Sequence, residues 1–294
     1  MAGNEQNDWK PVRVLQRTEQ ATGIISLDLQ ALDGSDLPAF SAGAHIDVRL
    51  PSGLVRQYSL CNDAVEQYRY RLGVLLAEAS RGGSRAVHEA LHPGATLSVS
   101  APRNLFALVS ESSSITLIAG GIGITPLLSM AYTLAREGRE FQFHVCARDA
   151  SRVSFRQELQ QWGERVWLHL NDSAASASPA FDPQRDIGTY LPGRFIYTCG
   201  PAGFMDYVRQ SALVLGWPED SIRMEHFAGE VAKEGGTFSV EARRSGKVVQ
   251  VGSAQSIAEA LQAAGSEVPM SCEQGICGMC VTPVLEGIPD HRDM

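Results

Sequence analysis

A change in hydrophobic rhythm near Pro102 is the feature that most constrains how this 294-residue chain folds. Before it, short apolar runs are separated by turn residues, a pattern typical of an antiparallel β-barrel or sandwich, with one helix at residues 83–91. After it, buried strand-type segments alternate with helical segments, which predicts a parallel, doubly wound α/β sheet. The small and polar residues 171–186 are expected to form a surface loop. The sequence therefore predicts two unlike domains in succession.

A polar stretch with two adjacent glycines, residues 229–236, is interpreted as a linker to a third module. Beyond it, residues 238–251 are typical of a β-hairpin. Residues 256–265 are typical of a short helix that Ser256 caps and Gly265 ends. The predicted domains are residues 1–104, 105–228 and 237–294.

Composition excludes several classes of partner. Lys and Arg number 25 against 33 Asp and Glu, for a net charge of −8, so the chain offers no basic field to a nucleic acid or an anionic membrane. The longest apolar stretch, residues 115–130, contains glycines and a proline and is shorter than the roughly 20 residues that span a bilayer. Residues 1–10 lack the basic flank and apolar core of a secretory signal, so a cytoplasmic location is expected.

The first candidate site is the pentapeptide 56–60, Arg-Gln-Tyr-Ser-Leu, at the end of a predicted barrel strand. A bound flavin needs an aromatic face against its ring, a hydroxyl near its reactive N5 edge and a cation for its phosphate. Tyr58, Ser59 and Arg56 offer these three groups. The alternative is a half-buried strand with alternating side chains and no ligand.

The second candidate site, Arg81-Gly82-Gly83-Ser84, directly precedes the first predicted helix. Two glycines let the backbone approach an anion closely, the helix N-terminus supplies free N–H groups, and Arg81 adds a full positive charge. These features predict a phosphate site. The alternative is a glycine turn in which Ser84 caps the helix.

The third candidate site combines two turns of the predicted α/β domain. Residues 119–126, Ala-Gly-Gly-Ile-Gly-Ile-Thr-Pro, follow a strand and open a helix, and glycines at such a turn admit a pyrophosphate. Pro126 takes the place of the third glycine of the dinucleotide fingerprint, as the first helical residue. Residues 198–201, Thr-Cys-Gly-Pro, end the last predicted strand. Because ligands lie at the carboxyl ends of strands in open α/β sheets, the two turns are expected to face one another.

Coenzyme preference is predicted from Arg148 and Asp149, which follow the strand at residues 141–147. An acidic group at this position accepts a hydrogen bond from the ribose 2′-OH and repels a 2′-phosphate, which favours NADH over NADPH. Arg148 acts in the opposite direction.

Three cysteines, Cys272, Cys277 and Cys280, fall within nine residues, whereas the other three are scattered singly. The C-x4-C-x2-C spacing is that of plant-type [2Fe–2S] clusters, and the glycines between the thiols expose N–H groups that can bond to the cluster's sulfurs. The alternative is a zinc-stabilised interaction domain, but zinc sites normally pair a C-x2-C with a second, distant pair. Plant-type clusters have four cysteine ligands and no cysteine follows Cys280. Either the chain is truncated or its last ligand comes from elsewhere, and we expect truncation.

Together, and in this order, the four motifs resemble those of the phthalate dioxygenase reductase family, which includes the reductases of vanillate demethylases. The resemblance covers essentially the whole chain. It implies an FMN-binding antiparallel β-barrel, an NADH-binding doubly wound α/β domain and a ferredoxin-like β-grasp domain that lacks its C-terminal part. It implies that FMN is held by Arg56, Gln57, Tyr58, Ser59, Arg81, Gly82, Gly83 and Ser84. It implies that the nicotinamide nucleotide is bound by Gly121, Gly123, Thr125, Cys199, Gly200 and Pro201, beside Arg148 and Asp149.

The resemblance also includes residues 225–227, Glu-His-Phe, which match the family's acidic-x-Phe segment at the end of the NADH domain. It implies that Phe227 covers the flavin ring with Glu225 nearby, and simple interdomain packing of Phe227 is the alternative. The implied reacting centre comprises Ser59, Thr125, Cys199, Glu225 and Phe227.

The function implied by this resemblance is that of an electron-transfer reductase. A hydride carries two electrons whereas an iron–sulfur cluster accepts one, so a flavin between them explains why three modules share one chain. The implied acceptor is a separate Rieske-type oxygenase that acts on an aromatic or similar small substrate. Two alternatives remain open: an NADH reductase for a cytochrome P450 or a diiron monooxygenase, and a binding module whose degraded ferredoxin-like tail only docks a partner.

Overall fold

The computed structural model describes residues 9–77, 82–171, 178–227, 235–266, 268 and 280–289. The chain divides into two compact units, Met1–His226 and Phe227–Met294. The first unit contains both an antiparallel and a parallel sheet. The finer domain boundaries stay predictions.

The antiparallel sheet forms a six-stranded barrel in the first half of this unit. Its elements are β1 (Lys10–Ala21), β2 (Ile24–Ala31), β3 (His45–Arg49), β4 (Val55–Ser59), β5 (Tyr70–Leu75), α1 (Gly83–Ala90) and β6 (Thr96–Val99). The strand order is β4-β3-β6-β1-β2-β5, and a bridge between Leu60 and Leu72 brings the two edge strands together. Apolar side chains at alternating positions, such as Leu27 and Leu29, fill the interior.

The parallel sheet follows with helices between its strands. Its elements are β7 (Ser114–Gly120), α2 (Ile124–Arg136), β8 (Phe141–Ala147), α3 (Arg156–Gln160), β9 (Val166–Leu170), α4 (Pro183–Asp186), β10 (Arg194–Cys199), α5 (Ala202–Val214) and β11 (Ile222–Glu225). The strand order β11-β10-β7-β8-β9 reverses between β7 and β10. Such a reversal opens a crevice where ligands bind in doubly wound sheets.

One strand of this sheet was not predicted, and two sequence expectations need correction. Strand β11 was not predicted, because its four residues are too short to show a period. The expected loop at residues 171–186 ends in helix α4, which Asp182 caps by accepting a hydrogen bond from the Gln184 N–H. Pro126 is the third residue of α2 rather than the first, a position whose N–H also lacks an intrahelical partner.

The second unit contains the predicted hairpin and helix. Strands β12 (Phe238–Ala242) and β13 (Lys247–Val251) pair antiparallel, and helix α6 spans Ile257–Ala263. Ser256 and Glu259 cap that helix reciprocally. Val249, Val251 and Ala260 form the small core between hairpin and helix, which confirms both predicted elements. Among the helices of the described residues, none has the length and apolar character needed to cross a membrane.

Candidate functional site

The two glycine turns of the parallel sheet meet at the reversal between β7 and β10. A Cβ on Gly123 would overlap the carbonyl oxygen of Cys199, and a Cβ on Gly200 would lie 2.9 Å from the Cα of Gly120. Larger residues at these positions would force the turns apart. The structure therefore brings together the two segments that the sequence assigned to one dinucleotide site, with Gly121 in the left-handed region at φ 56°.

The barrel and the sheet contribute one group each to a contact beside this crevice. Ser59, the last residue of β4, donates a hydrogen bond of 3.3 Å from its hydroxyl to Oε2 of Glu225, the last residue of β11. Cys199, at the end of the neighbouring strand, is the register partner of Glu225. Three residues from distant parts of the chain thus converge at the strand ends.

The electrostatics of this contact favour protonated groups. Burial raises the pKa of the Glu225 carboxyl from its ordinary value to about 8, against a lowering by the Ser59 hydroxyl. Burial, with the Glu225 carboxyl beside it, holds the pKa of the Cys199 thiol well above its usual range. Near neutral pH, Glu225 therefore has a proton to hold or release, while Cys199 stays an uncharged thiol.

The segment predicted to hold the flavin lies on β4 and at the start of α1. Residues 55–58 are all of intermediate burial, so β4 does not show the alternation expected of an ordinary half-buried strand. Among the described residues, the buried Nε2 of Gln57 has no hydrogen-bond partner. A buried amide donor without an acceptor fits a ligand rich in ring carbonyl and nitrogen atoms, as a flavin is.

The predicted phosphate site includes Arg56 and the glycine turn before α1. A Cβ on Gly83 would lie 2.7 Å from Cγ of Arg56, so the absence of a side chain there lets the arginine cross the first turn of α1. Gly82 precedes the helix at φ 88°, with no side-chain cap. Ser84 does not act as the cap, and its hydroxyl instead accepts a hydrogen bond from the Ala77 N–H. Arg81 lies outside the described residues. The cation and the glycine turn at a helix N-terminus fit a phosphate.

Asp149 makes contacts that the sequence did not predict. Its Oδ1 accepts hydrogen bonds from both the N–H and the hydroxyl of Ser151, at 2.8 and 2.6 Å. Its Oδ2 lies 3.4 Å from Nε of Arg152. The Ser151 hydroxyl lowers the pKa of Asp149. The carboxylate thus caps its own turn, a role that sequence reasoning missed although Asp-x-Ser is a known turn pattern. Arg148 is exposed.

The remaining predicted residues belong to the second unit. Cys272 and Cys277 lie outside the described residues, and Cys280 is a half-buried free thiol. Phe227 is the first residue of the second unit and is 38% exposed. The predicted cluster ligands and the predicted position of Phe227 over the flavin stay predictions.

A buried histidine pair in the parallel sheet was not anticipated, since single histidines in apolar strands give no sequence signal. Nδ1 of His144 lies 3.0 Å from Nε2 of His169. Nδ1 of His169 lies 3.1 Å from the carbonyl oxygen of Pro179. Because a carbonyl oxygen only accepts, this Nδ1 carries the proton of the His169 ring. Asp186 lies close enough for the three to resemble a metal site. Both of its carboxylate oxygens already accept hydrogen bonds from Arg185. The cluster is better explained as a neutral hydrogen-bonded chain that ties residues 179–186 to the sheet.

Two protein-family models and several known proteins match this chain. Residues 117–210 match the model of the oxidoreductase NAD-binding domain, and residues 240–294 match that of the 2Fe-2S iron-sulfur cluster binding domain. A vanillate O-demethylase oxidoreductase of Pseudomonas putida is 45% identical over 285 residues, which cover 94% of this chain and 88% of the relative.

Solved structures agree with these matches. A phthalate dioxygenase reductase, described as a modular structure for electron transfer from pyridine nucleotides to [2Fe–2S], superposes with a TM-score of 0.78 at 37% identity, covering 99% of this chain and 91% of that one. An intact type IV self-sufficient cytochrome P450 monooxygenase superposes with a TM-score of 0.86 at 34% identity. The match covers 97% of this chain and 37% of that protein.

Proposed function

The chain belongs to the phthalate dioxygenase reductase family, and from that premise we propose that it is the reductase of a Rieske-type oxygenase system. It is an NADH-dependent electron-transfer oxidoreductase with FMN, NADH and a [2Fe–2S] cluster as its cofactors. FMN, when bound, would supply the chemistry that converts the two-electron hydride of NADH into two one-electron transfers. We further propose a cytoplasmic location for the protein.

The observation that carries the proposal is the hydrogen bond between Ser59 and Glu225 at the crevice. It joins the end of a barrel strand, where we place the flavin ring, to the strand ends where we place the dinucleotide. We assign to Ser59 the positioning of a proton at its hydroxyl near the flavin edge. Glu225 exchanges that proton with solvent, because its raised pKa places its titration near physiological pH.

The other site residues are proposed to bind and orient the two nucleotide cofactors. Arg56 and the turn Gly82-Gly83 hold the flavin phosphate, to which Arg81 contributes a further charge. Gly121, Gly123, Gly200 and Pro201 admit the pyrophosphate to the crevice. The uncharged Cys199 thiol excludes water beside the nicotinamide without adding a competing charge.

Thr125 is the remaining residue of the proposed nicotinamide pocket. It is 2% exposed, its hydroxyl donates to the Ile122 carbonyl at 3.1 Å, and its methyl group lies against Gly73 of β5. Cys272, Cys277 and Cys280 are the proposed cluster ligands.

The residue assignments are tested by stopped-flow reduction of the FMN-loaded protein with NADH. Ser59→Ala and Glu225→Gln should each slow flavin reduction by about 10²-fold, as expected for loss of a proton-handling group, while FMN affinity changes little. Glu164→Gln, at an exposed carboxyl elsewhere in the same unit, is the matched control. Wild-type-like reduction by Ser59→Ala would remove the serine from the reacting centre.

The acceptor is tested separately. The reduced protein is mixed anaerobically with an oxidised Rieske-type oxygenase, and reduction of the Rieske centre is followed by its absorbance and electron paramagnetic resonance. A cytochrome P450 acceptor is the second candidate, favoured by the superposition on the self-sufficient P450. Efficient reduction of a P450, with no reduction of any Rieske centre in a panel of family oxygenases, would favour that candidate over the first.

A further inference from the structure

The outward face of barrel strand β5 contacts the parallel-sheet region through a charged residue and a glycine. Residues 71 and 73 lie two apart on β5 and therefore point to the same side. Arg71 uses this side to pair with Glu158 of α3, with 3.0 Å between Nη1 and Oε1. Asp28 of β2 holds the same guanidinium from the barrel side, at 2.6 Å. The charged contact fixes β5 against α3.

The second position on this face is occupied by a glycine in contact with the nicotinamide turn. A Cβ on Gly73 would lie 2.5 Å from Cγ2 of Thr125 and 3.0 Å from Cζ of Phe155. Gly73 has no left-handed φ that would require a glycine, so close approach accounts for its presence. Thr125 sits at the start of α2, directly after the dinucleotide turn.

Phe155 also contacts Gly73, and its backbone has a strained left-handed conformation. Its φ of 55° makes it the one non-glycine residue of the described chain in the left-handed region, and its side chain is fully buried. A bulky residue holds that conformation only where its surroundings fix it. Phe155 also precedes α3, which carries Glu158, so both contacts of β5 position the same short helix.

We propose that Gly73 is a positioning residue that sets the separation of flavin and nicotinamide, through its direct contact with the methyl group of Thr125. The inference rests on the proposed function, since it assigns the flavin to the barrel and the nicotinamide to the Thr125 turn. Hydride transfer needs reacting atoms about 3–3.5 Å apart. Because Gly73 lacks a side chain, the barrel strand and the turn approach each other more closely than any other residue would allow.

The test is a size-compensation experiment on Gly73 and Thr125. Gly73→Ala adds a methyl group to the contact and should slow flavin reduction at saturating NADH about tenfold by displacing the turn a few tenths of an ångström. Thr125→Ser removes the opposing methyl group and keeps the hydroxyl. The double variant should therefore reduce flavin faster than Gly73→Ala alone. Gly252→Ala, whose Cβ meets nothing closer than 3.8 Å, controls for the loss of a glycine.

A second measurement uses the flavin-free protein and needs no activity. Gly73→Ala should lower its thermal midpoint by about 5 °C through overpacking, and Thr125→Ser in the same chain should recover most of that shift. A purely structural glycine would show the recovery in thermal midpoint without recovery of the reduction rate. That result would overturn the positioning role.

The outcomes separate the two proposals. If the wild-type protein does not reduce FMN with NADH, the proposed function fails. If it does, and Gly73→Ala reduces flavin at the wild-type rate, only the role of Gly73 fails. If Gly73→Ala does not fold, the double variant is compared with Thr125→Ser alone. Faster reduction by the double variant supports the contact, and equal or slower reduction refutes it.

Discussion

The raised pKa of Glu225 leads to a pH-dependent stability that can be measured without any cofactor. A carboxyl whose pKa is higher in the folded than in the unfolded chain binds more protons when folded. Its contribution to stability is fully present below pH 4.5, the ordinary value, and is lost as pH rises through about 8. Replacing Glu225 by Gln removes this loss, because the amide does not titrate.

The magnitude follows from that pKa interval. Between 4.5 and about 8, at about 1.4 kcal/mol per pH unit, the full effect is about 5 kcal/mol. Residual solvent contact of the side chain, which is only partly buried as a residue, lowers the expected difference to about 3 kcal/mol. For a folding unit of this size, that corresponds to roughly 8 °C in thermal midpoint.

The assay is thermal unfolding of the flavin-free protein from pH 4.5 to 9, followed by circular dichroism. Glu225→Gln and wild type should have similar midpoints at pH 4.5 and should diverge with rising pH, with the variant more stable above pH 8. The exposed Glu164→Gln variant should follow the wild-type curve. Parallel curves for wild type and Glu225→Gln would refute the argument, because they would mean that the Glu225 carboxyl is as well solvated in the folded as in the unfolded chain.

Three further predictions follow from the binding segments. Arg81→Ala should weaken FMN binding by about 1.5–3 kcal/mol through loss of a charge-assisted phosphate contact, measured as flavin retained after extensive dialysis. Asp149→Ala should lower the preference for NADH over NADPH, measured as the ratio of kcat/KM values, and Arg148→Ala should raise it; an unchanged ratio in both would exclude this turn from coenzyme selection. Cys272→Ser should lower the [2Fe–2S] absorption that the protein reaches on reconstitution with iron and sulfide while leaving NADH oxidation with ferricyanide intact, and Cys61→Ser, far from the cluster motif in sequence, should reach the same absorption as wild type.

Much of the fold was predictable because local patterns determine it. The six barrel strands and the βαβ alternation follow from hydrophobic period and turn residues. The Ser256 capping box follows from side-chain chemistry within four residues. Strand β11 was missed because tertiary context at a sheet edge, rather than local pattern, makes it a strand.

The candidate site was predictable only where one segment carries it. The glycine turns were identified because each has its own spacing, and the structure brings them together. The contacts of Gly73 with Thr125 and of Arg71 with Glu158 were missed, since they join residues whose sequence neighbours show no motif. Asp149 was identified, but its cap on Ser151 was not, because the sequence did not indicate which of its acceptors was already used.

The Ser59–Glu225 pair shows why the contacts that the sequence did not predict matter most for function. The two residues are 166 positions apart, and the pKa of Glu225 depends on burial that the closely packed barrel and sheet provide together. If the barrel moved away from the sheet, water would reach the carboxyl and its pKa would fall toward the ordinary value. Under the roles proposed for Ser59, Glu225 and Gly73, the proton near the flavin would depend on the same packing that sets the separation of the two cofactors. A change at the β5 face that opens this packing should both slow hydride transfer and lower the pKa of Glu225. A change confined to the strand ends should alter only the rate or only the pKa.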